Sequence, residues 1–291
     1  MKILILAKST ILLLCFTVTS AWAETAISSL PYTITASGTY YLTGDLTSTG
    51  VGITVSANYV TIDLKGYSLI GSGVADAAGI VASFGSGRMV IKNGTIRYFD
   101  VGIQSENAAG EFLGVSNVNV TKNIGSGMAL SGHNNLIENC AASDNGGDGI
   151  NVGAGSSVLK SVAYNNVKNG INAYEGATII GNTAYGNGLT GLVAGSGSTM
   201  SQNTSHSNVG HGLYCYISCT LVENTAYGNQ GNGISWVARS TVKNNTTNNN
   251  VGYGILLGDT SNSLVDGNTA MDNGTNMGPC STCTFGINQA P

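Results

Sequence analysis

Charge is scarce in this chain: Asp, Glu, Lys and Arg make up 9% of 291 residues, with 11 basic and 15 acidic side chains. Proline occurs three times, at Pro31, Pro279 and Pro291, so the whole middle of the chain lacks it. There are three histidines, and after the first twenty residues no apolar run approaches the roughly 20 residues of a membrane span. Each shortage excludes something. With basic residues outnumbered and no run of them, nucleic acid and anionic membranes are poor partners. With no interior proline, strands can pair without interruption, because proline removes a ladder donor. Low charge beside 42% hydrophobic residues argues for a packed, turn-rich fold, since disorder combines low hydrophobicity with high charge.

Residues 1–23 read as a secretory signal peptide. Lys2 and Lys8 supply a positive start, Ile11 to Val18 an apolar run, and Ala21-Trp22-Ala23 a small-x-small cleavage site. Leu14 stands before Cys15 where a lipoprotein signal wants a small residue, so no lipid anchor is expected there. The mature chain, residues 24–291, then carries nine basic against fifteen acidic residues. An exported protein, periplasmic or extracellular and without a membrane span, is the expectation.

Glycine is abundant, 42 residues, and much of it is periodic. Gly followed by Ile, Leu or Met recurs at Gly127, Gly149, Gly170, Gly191, Gly212, Gly233 and Gly254, and after the first step every step is 21 residues. Earlier members, Gly52, Gly79 and Gly102, are spaced more widely, as the same coil with longer turns. A fixed period of this size marks a solenoid whose units share one core. Helical repeats are excluded by chemistry, because Gly, Asn, Ser and Thr are poor helix formers and the apolar runs are short.

Folding the sequence at 21 produces columns. Ile137, Val158, Ile179, Met200, Leu221 and Val242 form one; Ile150, Ile171, Leu192, Leu213, Ile234 and Ile255 form another, and both must point inward. Two residues on from the second lie Val152, Ala173, Ala194, Cys215, Trp236 and Leu257, the alternation of a strand facing one side, which makes Trp236 a core residue. Asn182, Asn203, Asn224 and Asn245 form one polar file, and Asn145, Asn166, Asn187, Asn208, Asn229 and Asn250 a second. Stacked Asn side chains can hydrogen-bond along such files and satisfy the turn backbone at each bend. The fold class is therefore all-β, a single-stranded right-handed parallel β-helix of about 21 residues per coil. One domain spans residues 24–291, with an N-terminal cap and first strands over 24–50 and a C-terminal cap over 271–291.

Leu30-Pro31-Tyr32-Thr33-Ile34 with Gly38-Thr39-Tyr40-Tyr41-Leu42, then Val60-Thr61-Ile62-Asp63-Leu64 and Ile91-Lys92-Asn93-Gly94-Thr95-Ile96, resembles bacterial parallel β-helix repeat proteins of the pectate-lyase-like superfamily. The matching residues are core and turn positions, so the resemblance implies the fold and leaves function to variable sites. It brings pectate lyases, polygalacturonases, alginate epimerases, adhesins and a copper-accessory protein into view.

Each of those chemistries can be sought in the residues. Calcium needs several converging oxygens, and Asp144, Asp148 and Glu138, with Asn169 and Thr190 in the column of Asp148, could supply some. Solvated turn acids are the plainer reading, so no cofactor is expected and Ca2+ is the alternative. Gly210-His211-Gly212 is similar to a polygalacturonase tripeptide, but the companion acidic motifs are missing and Gly212 already belongs to the repeat. Copper would call for a cluster among His133, His206 and His211, with no third ligand in reach of the last two. Lys92, Arg97 and Glu106 to Glu111 fall in the irregular early coils, where a functional loop is most readily accommodated.

Five mature cysteines remain. Cys215 with Cys219 and Cys280 with Cys283 are the local disulfide candidates, leaving Cys140 unpaired. A zinc site of four cysteines is disfavoured, because Cys219 and Cys280 are almost three coils apart, about 14 Å along the axis. The column Tyr164, Tyr185, His206 and Tyr227 follows inward Ala163, Ala184, Ser205 and Ala226 and should face outward. Rings about 4.8 Å apart make a strip suited to a sugar chain, or else pack on one another. The reading carried forward is a non-catalytic exported monomer that contacts polysaccharide or a cell-surface glycan through its long face. The alternatives are a polysaccharide lyase or epimerase, and a surface adhesin or structural solenoid.

Overall fold

The computed structural model of the protein describes residues 24–83, 87–105, 112–258 and 262–291, with the backbone alone of Trp236 and Val237. Residues 1–23, expected from the sequence to be a signal peptide, the Trp236 side chain and the stretch Glu106 to Glu111 lie outside the described residues. Among the described residues 34 short strands account for the regular structure, and every pairing between them is parallel. The chain winds as a right-handed parallel β-helix. A central coil shows the pattern: strands Thr178–Ile180, Thr183–Tyr185 and Leu192–Ala194, then Thr199–Ser201 begins the next coil one layer on.

Three faces result. The first stacks Thr178–Ile180 on Thr199–Ser201 and Thr220–Val222; the second stacks Thr183–Tyr185 on Thr204–His206 and Thr225–Tyr227. The nine-residue strands Met89–Arg97 and Leu113–Thr121 run across the corner between them and join the two into one 22-stranded sheet. The third face is a separate 12-stranded sheet from Tyr32–Ile34 to Thr275–Met277. On it Ile171 pairs with Leu192 and Leu192 with Leu213, all three wholly buried in one vertical file. The wider early spacings also keep register, with Ile53 opposite Ile80, Ile80 opposite Ile103, and Ile103 opposite Met128.

Side-chain size follows the shape of the coil. The first face turns large aliphatics inward, Ile137 to Val242, whereas the second turns in Ala142, Ala163, Ala184, Ser205 and Ala226. The small file is required because the third face begins against it: a Cβ on Gly170 would lie 3.2 Å from Ala184 Cβ. Burial of each large aliphatic contributes roughly 1.5–3 kcal/mol relative to exposure, so the first and third faces carry most of the hydrophobic stabilisation.

The bends are made by a left-handed residue followed by a buried Asn. At the corner after the second face the left-handed position holds Asn165, Gly186, Ser207, Gly228 and Asn249, with φ of 53° to 65°. Gly and Asn suit it because a Cβ is disfavoured there unless the side chain is short and polar. Behind it run Asn145, Asn166, Asn187, Asn208, Asn229 and Asn250, each accepting at Oδ1 from both the backbone N–H and the Nδ2 of the Asn one coil before. Asn123 extends this file upward and Asn273 downward. The second file, Asn182, Asn203, Asn224 and Asn245, continues to Asn268 and Asn288. Both files expected from the sequence are therefore hydrogen-bonded ladders that satisfy buried bend backbone, which would otherwise be unpaired.

Cys215 bonds Cys219 and Cys280 bonds Cys283, while Cys140 is free and buried, its thiol pushed up to about 11 mainly by desolvation. The second bridge lies between strands Thr275–Met277 and Thr284–Phe285. No helix long and apolar enough to cross a membrane occurs among the described residues.

Candidate functional site

The outward column on the second face forms as the strand alternation requires. Tyr164 pairs with Tyr185, Tyr185 with His206, and His206 with Tyr227. The rings stack on one another, with centroids 5.0, 5.1 and 4.7 Å apart and planes within 11° of parallel. Tyr185 and His206 thus have rings on both faces, and Tyr164 and Tyr227 each have one face covered by a ring. Between the rings of the column there is no room for a sugar to lie on an aromatic face.

The other sequence candidates disperse. Asp148 Oδ1 accepts from both the N–H and the Nδ2 of Asn169, and Asn169 Oδ1 accepts from the Thr190 N–H, so these residues form a third short ladder. Asp144 Oδ1 accepts from Asn165 Nδ2 at a different bend, and Glu138 pairs with Lys160 at 3.7 Å on the first face. Among the described residues no three His, Cys, Asp or Glu side chains come together as a metal would need. Lys92 faces out on the first sheet face, 3.4 Å from Asp63, whereas Arg97 sits on the second, over the Tyr98 ring. Burial would raise the Asp63 carboxyl, but hydrogen bonds from the Lys65 N–H and Asn93 side chain, with Lys92 and Lys65 nearby, outweigh it and hold it low. The three histidines have separate settings: His133 on the turn after the third face, His206 in the ring stack, and His211 against Tyr214. His211 Nδ1 accepts the Asn232 N–H at 2.9 Å, which places its proton on Nε2 and gives it a bend-ladder role.

His206 and His211 share an electrostatic property. Desolvation lowers both below the ordinary imidazole value. In the unfolded chain they bind protons near pH 6.5, and in the fold only at lower pH, so the unfolded state binds more protons in that window. Stability is accordingly full above about pH 6.5 and declines as pH falls through that value toward the folded pKa. Thermal melts should show Tm dropping by a few degrees from about pH 7.5 to pH 5, and a His206→Gln/His211→Gln variant should flatten that part of the profile.

The 22-stranded sheet has a cavity of about 500 Å³ at Ser37, Thr39, Tyr59 and Thr61, and a row of cavities lies on the 12-stranded third face and its edges. A cavity of about 380 Å³ is lined by Gln104, Ser131, His133, Asn151, Tyr174 and Glu175, among others. A second of about 260 Å³, lined by Asp76, Asp100 and Val81, shares Gln104 with it. A third of about 200 Å³, lined by Asn172, Gly195 and Tyr216, shares Tyr174 and Glu175. The three are therefore neighbours along this face. In strand register Val81, Gln104, Ala129, Asn151, Asn172, Val193 and Tyr214 follow one another, so the track spans six coil steps, about 29 Å. Tyr174 and Tyr216 are half exposed, at 53% and 52%, and stand two coils apart with Gly195 between them. Tyr216 is braced edge-on by Tyr214, 5.1 Å away. The signal that could have found this track is the column Tyr174, Gly195, Tyr216, one residue past the inward Ala173, Ala194 and Cys215.

Comparison with solved structures gives likeness at low identity. The A-module of the mannuronan C-5 epimerase AlgE6 of Azotobacter vinelandii has TM-score 0.68 and 18% identity, over 88% of this chain and 91% of that one. The periplasmic alginate epimerase AlgG has TM-score 0.59 and 13% identity, over 87% and 75%. The Dettilon tailspike protein has TM-score 0.63 and 15% identity, over 91% and 59%. At such identities the likeness is one of fold. No curated protein sequence matches. The family model described as right handed beta helix region matches residues 45–187, 101–241 and 192–289. With the matches together running from residue 45 to residue 289, and with the stacked coils seen directly, this chain belongs to the right-handed β-helix family.

Proposed function

We propose that this β-helix is exported and holds a polysaccharide chain lengthwise along its third face without cleaving it. The observation that carries the reading is the row of neighbouring cavities with Tyr174 and Tyr216 rising beside it. Exposed aromatic rings offer apolar faces to sugars, and Gln104 and Asn172 offer amide donors and acceptors to hydroxyls along the same line. Two disulfides fit an oxidising compartment, as does the signal-like start of the sequence. The neighbours named as alginate and mannuronan epimerases support a polysaccharide as partner of this scaffold.

A second reading, a lyase or epimerase, has one observation in its favour: His133, Tyr174 and Glu175, all residue types that can transfer protons, line one cavity. One experiment separates the two. Mature protein is passed over immobilised neutral, acidic and basic polysaccharides, reading both retention and the appearance of new chain ends or altered sugars. Retention without chemical change is expected, and Tyr174→Ala/Tyr216→Ala should weaken it about tenfold or more. Tyr185→Ala/Tyr227→Ala should leave it intact, because those rings are already stacked on their neighbours. New ends or epimerised sugars would give the second reading its place, and loss of binding in the Tyr185/Tyr227 variant alone would move the chain to the second face.

A further inference from the structure

We infer that the bend between the second and third faces is a self-association surface, on which a second copy of this chain packs antiparallel in a two-fold dimer. In that bend the residue after the buried Asn is Ile124, Val167, Val209 or Val251 at every second coil. Turn tips ordinarily carry Gly, Asn, Asp or Ser. Here Ile124 is 48% exposed and the three valines 63–64%. In the coils between them the same position holds Gly146, Gly188, Gln230 and Gly274. Backbone pairing fixes the file, as where Gly188 N–H donates to the Asn166 carbonyl at 2.8 Å and Val209 N–H to the Asn187 carbonyl at 2.9 Å. Branched apolar side chains therefore stand about 9.6 Å apart along a strip of about 34 Å, with a gap after each. The chain cannot fill the glycine gaps itself. A Cβ on Gly146, Gly188 or Gly274 would lie 1.9, 2.2 or 2.1 Å from the carbonyl oxygen of Ile124, Val167 or Val251.

A strip that alternates projection and gap is complementary to the same strip reversed, which is the condition for an isologous two-fold contact. An antiparallel two-fold that seats Val209 on Gly188 of the second copy also seats Val251 on Gly146 and Ile124 on Gly274. Val167 then meets Gln230, the one gap position with a side chain. Charge selects the same register. Two residues before Ile124 stands Lys122, and two before Gly274 stands Asp272, both exposed and both at the left-handed position of the bend. Neither has an ion pair among the described residues. The register that seats the valines brings Lys122 of each copy against Asp272 of the other, so the pair forms twice. A shift of two coils would set Lys122 against Gly228 instead. Opposite charges at the two ends of one apolar strip thus fit a second copy of that strip, turned end for end. The strip lies where the chain enters the third face, whereas Tyr174 and Tyr216 lie where it leaves, so this inference is independent of the glycan reading.

The strip is narrow, so the dimer is a weak one, with Kd of about 10–100 μM. Sedimentation equilibrium of the mature protein from about 1 to about 500 μM should show the mass rising from monomer to dimer. Val209→Asp should hold the chain monomeric over that range with its melting temperature unchanged. Lys122→Asp should weaken association at least about tenfold, and Lys122→Asp/Asp272→Lys should restore it, a rescue that general damage to the fold could not give. The charge exchange carries the test if Val209→Asp folds poorly. A mass that stays monomeric at about 500 μM overturns the inference. So does a dimer that Val209→Asp leaves intact, or one that the exchanged charges fail to restore.

Discussion

Replacing Asn187 by Ala is expected to lower the stability of the protein by about 3 kcal/mol or more, a larger loss than any substitution on an outer face. Asn187 is wholly buried. Its Oδ1 accepts from the Asn166 N–H at 3.1 Å and the Asn166 Nδ2 at 3.0 Å, and its Nδ2 donates to Asn208 Oδ1 at 2.9 Å and to the Ala163 carbonyl at 3.1 Å. Alanine removes all four. It strands the Asn166 N–H in a dry bend, takes a donor from Ala163, and leaves Asn166 Nδ2 with the Ala142 carbonyl alone. One unpaired buried group costs about 1–3 kcal/mol, and here more than one is left. Because each coil of a solenoid contacts only its neighbours, the damage falls on the two interfaces of the Asn187 coil, with the coil of Asn166 before it and that of Asn208 after it. Urea denaturation should therefore show a lower midpoint and a broader or split transition, since the two halves of the stack are uncoupled. A loss below about 1 kcal/mol would mean that the ladder merely decorates the bend.

Much of this was readable before any coordinate. A strict period of 21 names the columns, and strand alternation then sorts each column inward or outward, which is why the Ile171, Leu192, Leu213 file and both Asn ladders could be anticipated. Local disulfides were readable because Cys215 and Cys219, like Cys280 and Cys283, are too near in sequence to need the fold to bring them together. Ring orientation was not readable. Alternation says which side Tyr185 faces, but χ angles decide whether it lies flat or stands against Tyr164 and His206, and rings one strand spacing apart can fill the gap by stacking. The track on the third face was hidden for another reason. Asp76, Asp100 and Gln104 belong to coils whose turns break the period, so their alignment with Asn151 and Tyr174 depends on where the extra residues are placed. Strand register places them, and sequence alone does not.

The repeated glycine was visible as a period without a reason, and the reason yields the second large effect. Gly170→Ala should destabilise the protein by about 3 kcal/mol, at the upper end of what overpacking brings. An added Cβ would stand 2.6 Å from the Gly191 carbonyl oxygen, 2.8 Å from Asn187 Nδ2 and 3.2 Å from Ala184 Cβ. The nearest of these is backbone in the next coil and cannot step aside without opening the strand pairing of Ile171 with Leu192. Gly44→Ala is the matched control, since nothing lies within 4 Å of its added Cβ, and it should be neutral or stabilising by about 0.4–1 kcal/mol through the unfolded chain. Equal effects at the two sites would show that the coils are not in close contact. The double variant Gly170→Ala/Asn187→Ala sharpens the argument. Removing the Asn187 amide takes away one of the atoms in the way of the new methyl, so the combined loss should be smaller than the sum of the two single losses. They should not cancel, because the Gly191 carbonyl stays where it is. From Gly102 to Gly254 the glycine and the asparagine recur together because the ladder amide occupies the space where a side chain on that glycine would begin.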